Sequence, residues 1–452
     1  VHRQTHPIPL ANPTEPFTMS SKVAHSQGPG KSRRDPRLDF FRGIAMLIIL
    51  VAHIQWNSWS LWIPARFGPS DAAEMFVFCS GYAAAIAFGG TFVTAGFWMG
   101  VRRIALRCWQ VYWAHLGLFF TVAAITVVAN ELFGTPRWNY LGVLNLEPFF
   151  DDTQTQLVGL FTLTYVPNYF DILPMYLVIL AMIPLVMLLH RLHLAAAIAF
   201  CILLYVATWV FNLNLPAEPF SDRVWFFNPF GWQIVFFTGF MLSRGWVRPP
   251  PYRPWLLALA AGYVLVMIPI SRWQIYMQVP ALEAVHDWLW LKDWEQGGIF
   301  KTNQHPLRWL HLLALAYLAL WVLRGREHWL DTAPCRVIIK VGQQALATFM
   351  TSMALAWILS IALDQLGGEG TTFAGKYRPG REPLSVAAAN IFGLAAIIGV
   401  AYMVDWYKRE PWRRVGQAPA QSVSGSRAAA QPAAAAPESA ALAVAPGARA
   451  YR

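Results

Sequence analysis

Two ionisable side chains share one apolar stretch near the start of the chain. The run Asp39-Phe-Phe-Arg42-Gly43-Ile-Ala45 leads into apolar residues that end at His53. On a helix, Arg42 and His53 lie eleven positions apart, about three turns, so they share a face with a rise of roughly 16 Å between them. Arg42 then sits near one membrane surface and His53 deep, toward the other. Burying an ionisable group in an apolar segment is costly, which makes a functional reading the default. A histidine so placed can act as a general base toward a hydroxyl. The plainer alternative is a histidine that hydrogen-bonds a neighbouring helix or rests at the interface.

A second apolar stretch opens with Asp71 and Glu74 and continues Phe76-Val-Phe-Cys-Ser80-Gly81-Tyr82. It starts where the first one ends, so Glu74 is expected to approach His53. A carboxylate beside an imidazole fixes its tautomer and raises its basicity. An interfacial acid with no partner is the alternative. Ser80-Gly81 also reads as simple close helix packing. A third constellation is Arg102, Arg103 and Arg107, followed by Tyr112, Trp113 and His115. Arg103 and Arg107, spaced i, i+4, share a helix face. Paired guanidiniums suit a phosphorylated donor such as a coenzyme A thioester. They equally suit topology anchoring or lipid headgroups.

The elements that must carry these residues follow from composition. Of 452 residues, 56% are hydrophobic and only 13% charged, against about 25% charged in an ordinary soluble domain. The apolar residues fall in blocks of roughly 20, the length that crosses a bilayer. The expected fold is therefore all-α, a polytopic membrane helix bundle. About ten spans are expected, near 40–56, 72–90, 104–129, 172–189, 194–211, 230–243, 255–270, 307–323, 341–363 and 385–405. Pro184 and Pro269 mark possible kinks or re-entrant pieces.

Charge gives the orientation. With the N-terminus in the cytoplasm, the inner connections hold Arg102, Arg103, Arg191, Arg244, Arg248, Arg253, Arg324, Arg326, Arg336 and Lys340 against only Glu327 and Asp331. The outer connections gather most of the acids, among them Glu131, Asp151, Asp171, Glu218, Glu283 and Asp293. This is the positive-inside pattern for an N-in, C-in protein. The net charge of +11 is thus topological, and nucleic acid is not expected as a partner. The long outer connections, 131–171 and 271–306, are rich in Trp, Asn and acids. They suit sugar recognition and equally an interfacial aromatic belt.

Residues 1–38 form a polar cytoplasmic segment without a signal-peptide core, Met19 is a possible true start, 39–410 is the membrane domain, and 411–452 reads as a disordered Ala/Pro-rich cytoplasmic tail. Cys79, Cys108, Cys201 and Cys335 form no CxxC pair, so neither a disulfide framework nor a metal site is expected.

Three of these motifs, in order and at fitting spacing, resemble the membrane acyltransferase-3 superfamily: Asp39-x-x-Arg42-Gly43 with His53, Glu74 with Phe76 to Tyr82, and Arg103-x-x-x-Arg107 with Tyr112-Trp113. The stretches Asp35-Pro-Arg-Leu-Asp-Phe-Phe-Arg-Gly, Trp62-Ile-Pro-Ala-Arg-Phe-Gly, Gln110-Val-Tyr-Trp-Ala-His and Asn228-Pro-Phe-Gly-Trp-Gln resemble its OpgC-type branch over about residues 35–410. Gln110 stands where the superfamily commonly has proline. The resemblance implies an inner-membrane O-acyltransferase of bacteria. It would move an acyl group, best guess succinyl, from a cytoplasmic acyl-CoA co-substrate to hydroxyls of a periplasmic glucan or other envelope sugar, with no permanently bound cofactor. Carried over, His53 and Glu74 are catalytic, and Arg42, Arg103 and Arg107 contact the donor. Asp39, Ser80, Tyr112 and Asp171 are substrate or structural candidates, Asp171 through a loose match of Asp171 to Tyr176. The alternatives are a transporter or flippase of a sugar or acyl compound, or a non-catalytic membrane scaffold. A transporter would predict internal inverted repeats, and no clear repeat occurs.

Overall fold

The computed structural model describes residues 35–134, 139–290, 301–366, 383–410 and 412. The expectations for residues 1–34 and for the tail after Glu410, apart from Trp412, lie outside them. Among the described residues, those up to Trp406 make one compact unit and those from Tyr407 on separate as a second. Every regular element among the described residues is helical, apart from one isolated bridge between Pro216 and Val224. The helices that build the bundle are α1 (Pro36–His53), α2 (Ala72–Ala84), α3 (Phe97–Phe133), α4 (Ile172–Leu192), α5 (Leu194–Val210), α6 (Pro229–Ser243), α7 (Pro254–Ser271), α8 (Pro306–Leu323), α9 (Ala333–Gln343), α10 (Ala345–Leu366) and α11 (Pro383–Lys408).

Several helices open on the same device, a polar cap followed by proline. Asp35 caps α1 before Pro36, Asn228 caps α6 before Pro229, and His305 caps α8 before Pro306. Each cap side chain accepts a backbone N–H of the first turn, and proline at N1 forfeits no hydrogen bond there. Asp71 caps α2 in a full capping box: its side chain accepts the Ala73 N–H, while the Glu74 carboxylate accepts the Asp71 N–H.

Each of the ten expected spans falls on a helix, but among the described residues seven helices are long and apolar enough to cross a bilayer. These are α2 prolonged to Thr94 through a π turn, and α3, α4, α7, α8, α10 and α11. The family of long apolar helices fits a multi-pass membrane protein. α1 carries Arg37, Asp39 and Arg42, while α5 has 17 residues and α6 has 15. The expected 341–363 span divides at Gln344 into the end of α9 and α10. α4 and α7 remain helical through Pro184 and Pro269. α3 has 37 residues, about 55 Å of helix. That exceeds a ~30 Å hydrocarbon core, so an end of α3 stands beyond it.

α1 is packed between α9, α2 and α10. Its approach to α9 is backbone to backbone: a Cβ on Gly43 would overlap the Ile338 carbonyl, and one on Gly342 would overlap the Asp39 carbonyl. α2 meets α6 in the same way, with Gly81 against the Phe236 carbonyl and Gly239 against the Phe78 carbonyl. Within membranes, small residues allow such close packing where water supplies no driving force between helices. The two crossings hold α1 and α2 in place, and with them His53 and Asp71.

Candidate active site

A cavity of about 270 Å³ opens where α1 ends and where α2 and α4 begin. Its polar lining is His53, Asp71, Tyr169, Asp171 and Lys301, and Phe226, Phe227, Phe349 and Met353 contribute apolar wall. The imidazole of His53 is half-buried, and its Nδ1 lies 2.7 Å from the Ile49 carbonyl one turn back. A carbonyl can only accept, so Nδ1 carries the proton and donates. Nε2 is therefore the basic nitrogen, the tautomer a general base requires.

Tyr169 presents its ring edge-on to His53 at 5.4 Å between centroids. Its hydroxyl donates to the Met353 carbonyl at 2.7 Å, and its φ is +86°. A bulky residue at that φ is strained, and such strain concentrates at functional sites. Here it sets the Tyr169 ring against His53.

Two acids and two cations meet at the start of α2. Asp71 Oδ2 lies 2.6 Å from Lys301 Nζ and 3.5 Å from Arg308 Nη2. Glu74 Oε1 accepts from Arg308 Nε at 2.6 Å and lies 2.5 Å from Nη2. The Glu74 and Arg308 side chains are 0% and 4% exposed. This corrects the expectation that Glu74 orients His53. Both Glu74 oxygens are committed elsewhere, one to Arg308 and one to the Asp71 N–H, while Ile49 holds the imidazole. The acid that lines the cavity with His53 is Asp71, one turn earlier. Burial opposes its ionisation, but Lys301 and Arg308 outweigh burial and hold Asp71 below the usual carboxylate range.

Asp171, at the N-terminus of α4, also lines the cavity. Burial pushes it up to about 7, and its Oδ1 has no hydrogen-bond partner among the described residues. Lys301 is placed by its backbone. The Trp232 indole donates to the Lys301 carbonyl at 2.8 Å, and the Asn228 amide donates to Asn303 at 2.8 Å. Its ammonium lies 5.8 Å and 5.4 Å from the Phe226 and Phe227 ring centroids.

The arginines assemble differently from their sequence spacing. Arg103 is exposed, donates to Thr91 at 2.6 Å and lies over the Phe88 ring. Arg107 donates to Gln110 at 3.2 Å and also reaches the Tyr176 hydroxyl on α4. Arg42 acts on the same hydroxyl. It lies 3.8 Å from buried Asp39, and its Nε has no hydrogen-bond partner among the described residues. The structure thus brings Arg42, Arg107 and Tyr176 together and leaves Arg103 apart. Tyr112 ties α3 to the Thr153–Thr162 helix by donating to the Phe161 carbonyl at 2.7 Å. Ser80 is buried on α2 and does not line the cavity.

A family model described as OpgC protein matches residues 34–409. The chain belongs to the OpgC family. No curated protein and no solved structure matches it. The OpgC match spans both clusters, from Asp39 and Arg42 to the cavity residues His53, Asp71, Asp171 and Lys301. Among the described residues no group of three or more His, Cys, Asp or Glu side chains is placed to hold a metal ion.

Sequence reasoning passed over Asp71, Tyr169, Lys301 and Arg308 as site residues. Asp71-x-x-Glu74 is a readable capping-box pattern, and it places Asp71 at the mouth of α2. Lys301 and Arg308 are basic residues in or beside the acid-rich 271–306 connection, where the positive-inside pattern does not call for them. For Tyr169 no sequence signal exists, because its role comes from a left-handed backbone.

Proposed function

We propose that this OpgC-family chain is a membrane O-acyltransferase of the bacterial inner membrane. It takes an acyl group, best assigned as succinyl, from cytoplasmic acyl-CoA and places it on hydroxyls of a periplasmic glucan or related envelope sugar. The orientation is N-in and C-in, supported by arginine-rich inner connections and acid-rich outer ones. In that frame the Arg42–Arg107–Tyr176 cluster faces the cytoplasm and receives the donor phosphates. The His53 cavity faces outward and receives the sugar.

The observation that carries this reading is the His53 tautomer. With Nδ1–H given to Ile49, Nε2 takes the proton of a sugar hydroxyl. The hydroxyl oxygen then attacks the thioester carbonyl carbon directly, the carbon–sulfur bond breaks, and His53 returns the proton to the leaving thiolate. No covalent acyl-enzyme is invoked, because neither Ser80 nor a cysteine lines the cavity.

The test is mass spectrometry of periplasmic glycans from a strain lacking the gene, complemented with wild type or with His53→Ala. Acyl substituents should vanish on deletion, return with wild type, and stay absent with His53→Ala although the variant inserts normally. Full acylation by His53→Ala would refute the assignment. A glycan pool unchanged by deletion would favour a transporter or scaffold.

A further inference from the structure

Acyl transfer needs more than a base. When the hydroxyl oxygen bonds to the thioester carbon, the carbonyl π pair moves onto oxygen. That oxyanion must be met by a fixed donor, commonly the largest electrostatic contribution to such reactions. The side chains lining the cavity can be sorted by what they can donate. Asp71 is an ionised acceptor. The Tyr169 hydroxyl is already given to Met353. His53 gives its one N–H to Ile49 and must receive a proton at the other nitrogen. Asp171 is a carboxyl, with one proton at most to give. Lys301 remains. An ammonium has three N–H donors; one goes to Asp71 at 2.6 Å, and two are left.

Its surroundings suit the task. Lys301 is close enough to His53 for its charge to act on the imidazole. Two aromatic rings flank the ammonium, which lowers the local dielectric and strengthens a charge contact. Asp71 is itself anchored by Ala73 and Arg308, so the ammonium does not have to reorganise when charge develops. The first turns of α2 and α4 also border the cavity, through Ala72, Ala73 and Ile172, and helix N-termini favour negative charge.

We infer that Lys301 is a catalytic residue of this chain, the oxyanion donor that works opposite His53, with Asp71 as the positioning residue that holds it. This rests on the acyl-transfer reading above. The step balances as follows. The hydroxyl proton goes to His53 Nε2, and the new carbon–oxygen bond places a negative charge on the former carbonyl oxygen beside the Lys301 ammonium. Collapse of that oxyanion expels the thiolate, which takes the proton back from His53. The products are an ester and a free thiol.

The experiment uses the purified full-length chain in lipid nanodiscs, with succinyl-CoA or acetyl-CoA as donor and glucose oligosaccharides as acceptor, followed by thiol release. Lys301→Met should lower kcat by about 10²–10³, as expected when one oxyanion donor is removed, while the KM values stay within a few-fold. The loss should be equal for both donors. Lys301→Arg should restore part of kcat. Because Lys301→Met leaves Asp71 with less compensation, Asp71→Asn/Lys301→Met serves as the second variant, and it should remain as slow as the single one. A loss confined to succinyl-CoA would overturn the inference and make Lys301 a reader of the acyl carboxylate; if wild type uses only one donor, a rise in KM without a fall in kcat does the same. Near-wild-type kcat in a folded double variant would also overturn it. His53→Ala separates the two levels: full thiol release by that variant, or none by wild type, defeats the acyl-transfer reading itself and the inference with it.

Discussion

The Glu74–Arg308 pair offers a sharp test of how the cavity is built. Arg308→Met removes the guanidinium and keeps much of the apolar stem. Asp71 retains Lys301 at 2.6 Å, so the acid left unpaired is Glu74, whose side chain is 0% exposed. Removing one partner of a buried ion pair costs about 3–5 kcal/mol, because the remaining charge is stranded. At ~2 °C per kcal/mol, the scale of larger domains, the apparent melting temperature in detergent should drop by roughly 6–10 °C. Glu74→Gln/Arg308→Met removes the stranded charge and should recover at least half of that loss. Double-mutant cycles isolate this coupling.

The same variants decide what Glu74 does. If Glu74 oriented His53, Glu74→Gln would act mainly on kcat and would shift the pH profile of the base. In the structure the Ile49 carbonyl orients His53. Glu74→Gln keeps an acceptor for Arg308, so it should cost stability, about 1–3 kcal/mol for a buried polar group left short of partners, and leave kcat within a few-fold. A 100-fold fall in kcat at unchanged melting temperature would refute the argument, as would an Arg308→Met protein that melts like wild type.

Three further outcomes follow. Burial raises Asp171 to about 7, so between about pH 4 and 7 the folded state holds a proton that the unfolded state has lost. Stability should therefore fall as pH rises through that window and level off above it; Asp171→Asn should reduce that slope in melting curves taken from pH 4 to 8, and an unchanged slope would assign it to another group. Gly81→Ala pushes a Cβ into the Phe236 carbonyl and should cost about 1–3 kcal/mol by forcing α2 from α6, whereas Gly117→Ala, with open space at its Cβ, should be neutral or slightly stabilising in the same detergent melt. Arg42→Met and Arg107→Met should each raise the donor KM by about 10–100-fold, the loss of a charged hydrogen bond of ~1.5–3 kcal/mol, and Arg103→Met should raise it far less because Arg103 turns to Thr91.

The fold was largely legible in the sequence because hydropathy and helix starts are local properties. Asp35-Pro36 and Asn228-Pro229 announce helix starts, and each apolar block became a helix. The count of spans was less legible, because α1 mixes Arg37, Asp39 and Arg42 with apolar residues, and α5 and α6 are short. At the site, His53 was legible as an ionisable residue in an apolar run, but its partner was not. Spacing suggested that Glu74 was near enough. It could not show that a guanidinium 234 positions later in the chain had claimed that carboxylate. Arg103 and Arg107 show the same limit, since a shared helix face does not fix what each guanidinium meets: Arg107 finds Tyr176 on α4, and Arg103 finds the end of the α2 segment.

The two clusters are joined by one rigid element, and this bears on how a reaction can be shared between two sides of a membrane. α1 carries Arg42 in one cluster and His53 in the other, separated by roughly 16 Å of helix. Its backbone is locked against α9 at Gly43 and Gly342. The acyl-transfer reading therefore needs no large motion to carry charge between the surfaces. On that reading the donor phosphates would stay with Arg42 and Arg107 and the hydroxyl with His53, and the acyl thioester arm would run along the bundle between them. Asp71, Glu74, Lys301 and Arg308 pair two acids with two cations at the start of α2. In the proposed reaction the oxyanion would form beside the Lys301 ammonium while the proton rests on His53, both of which line the same cavity.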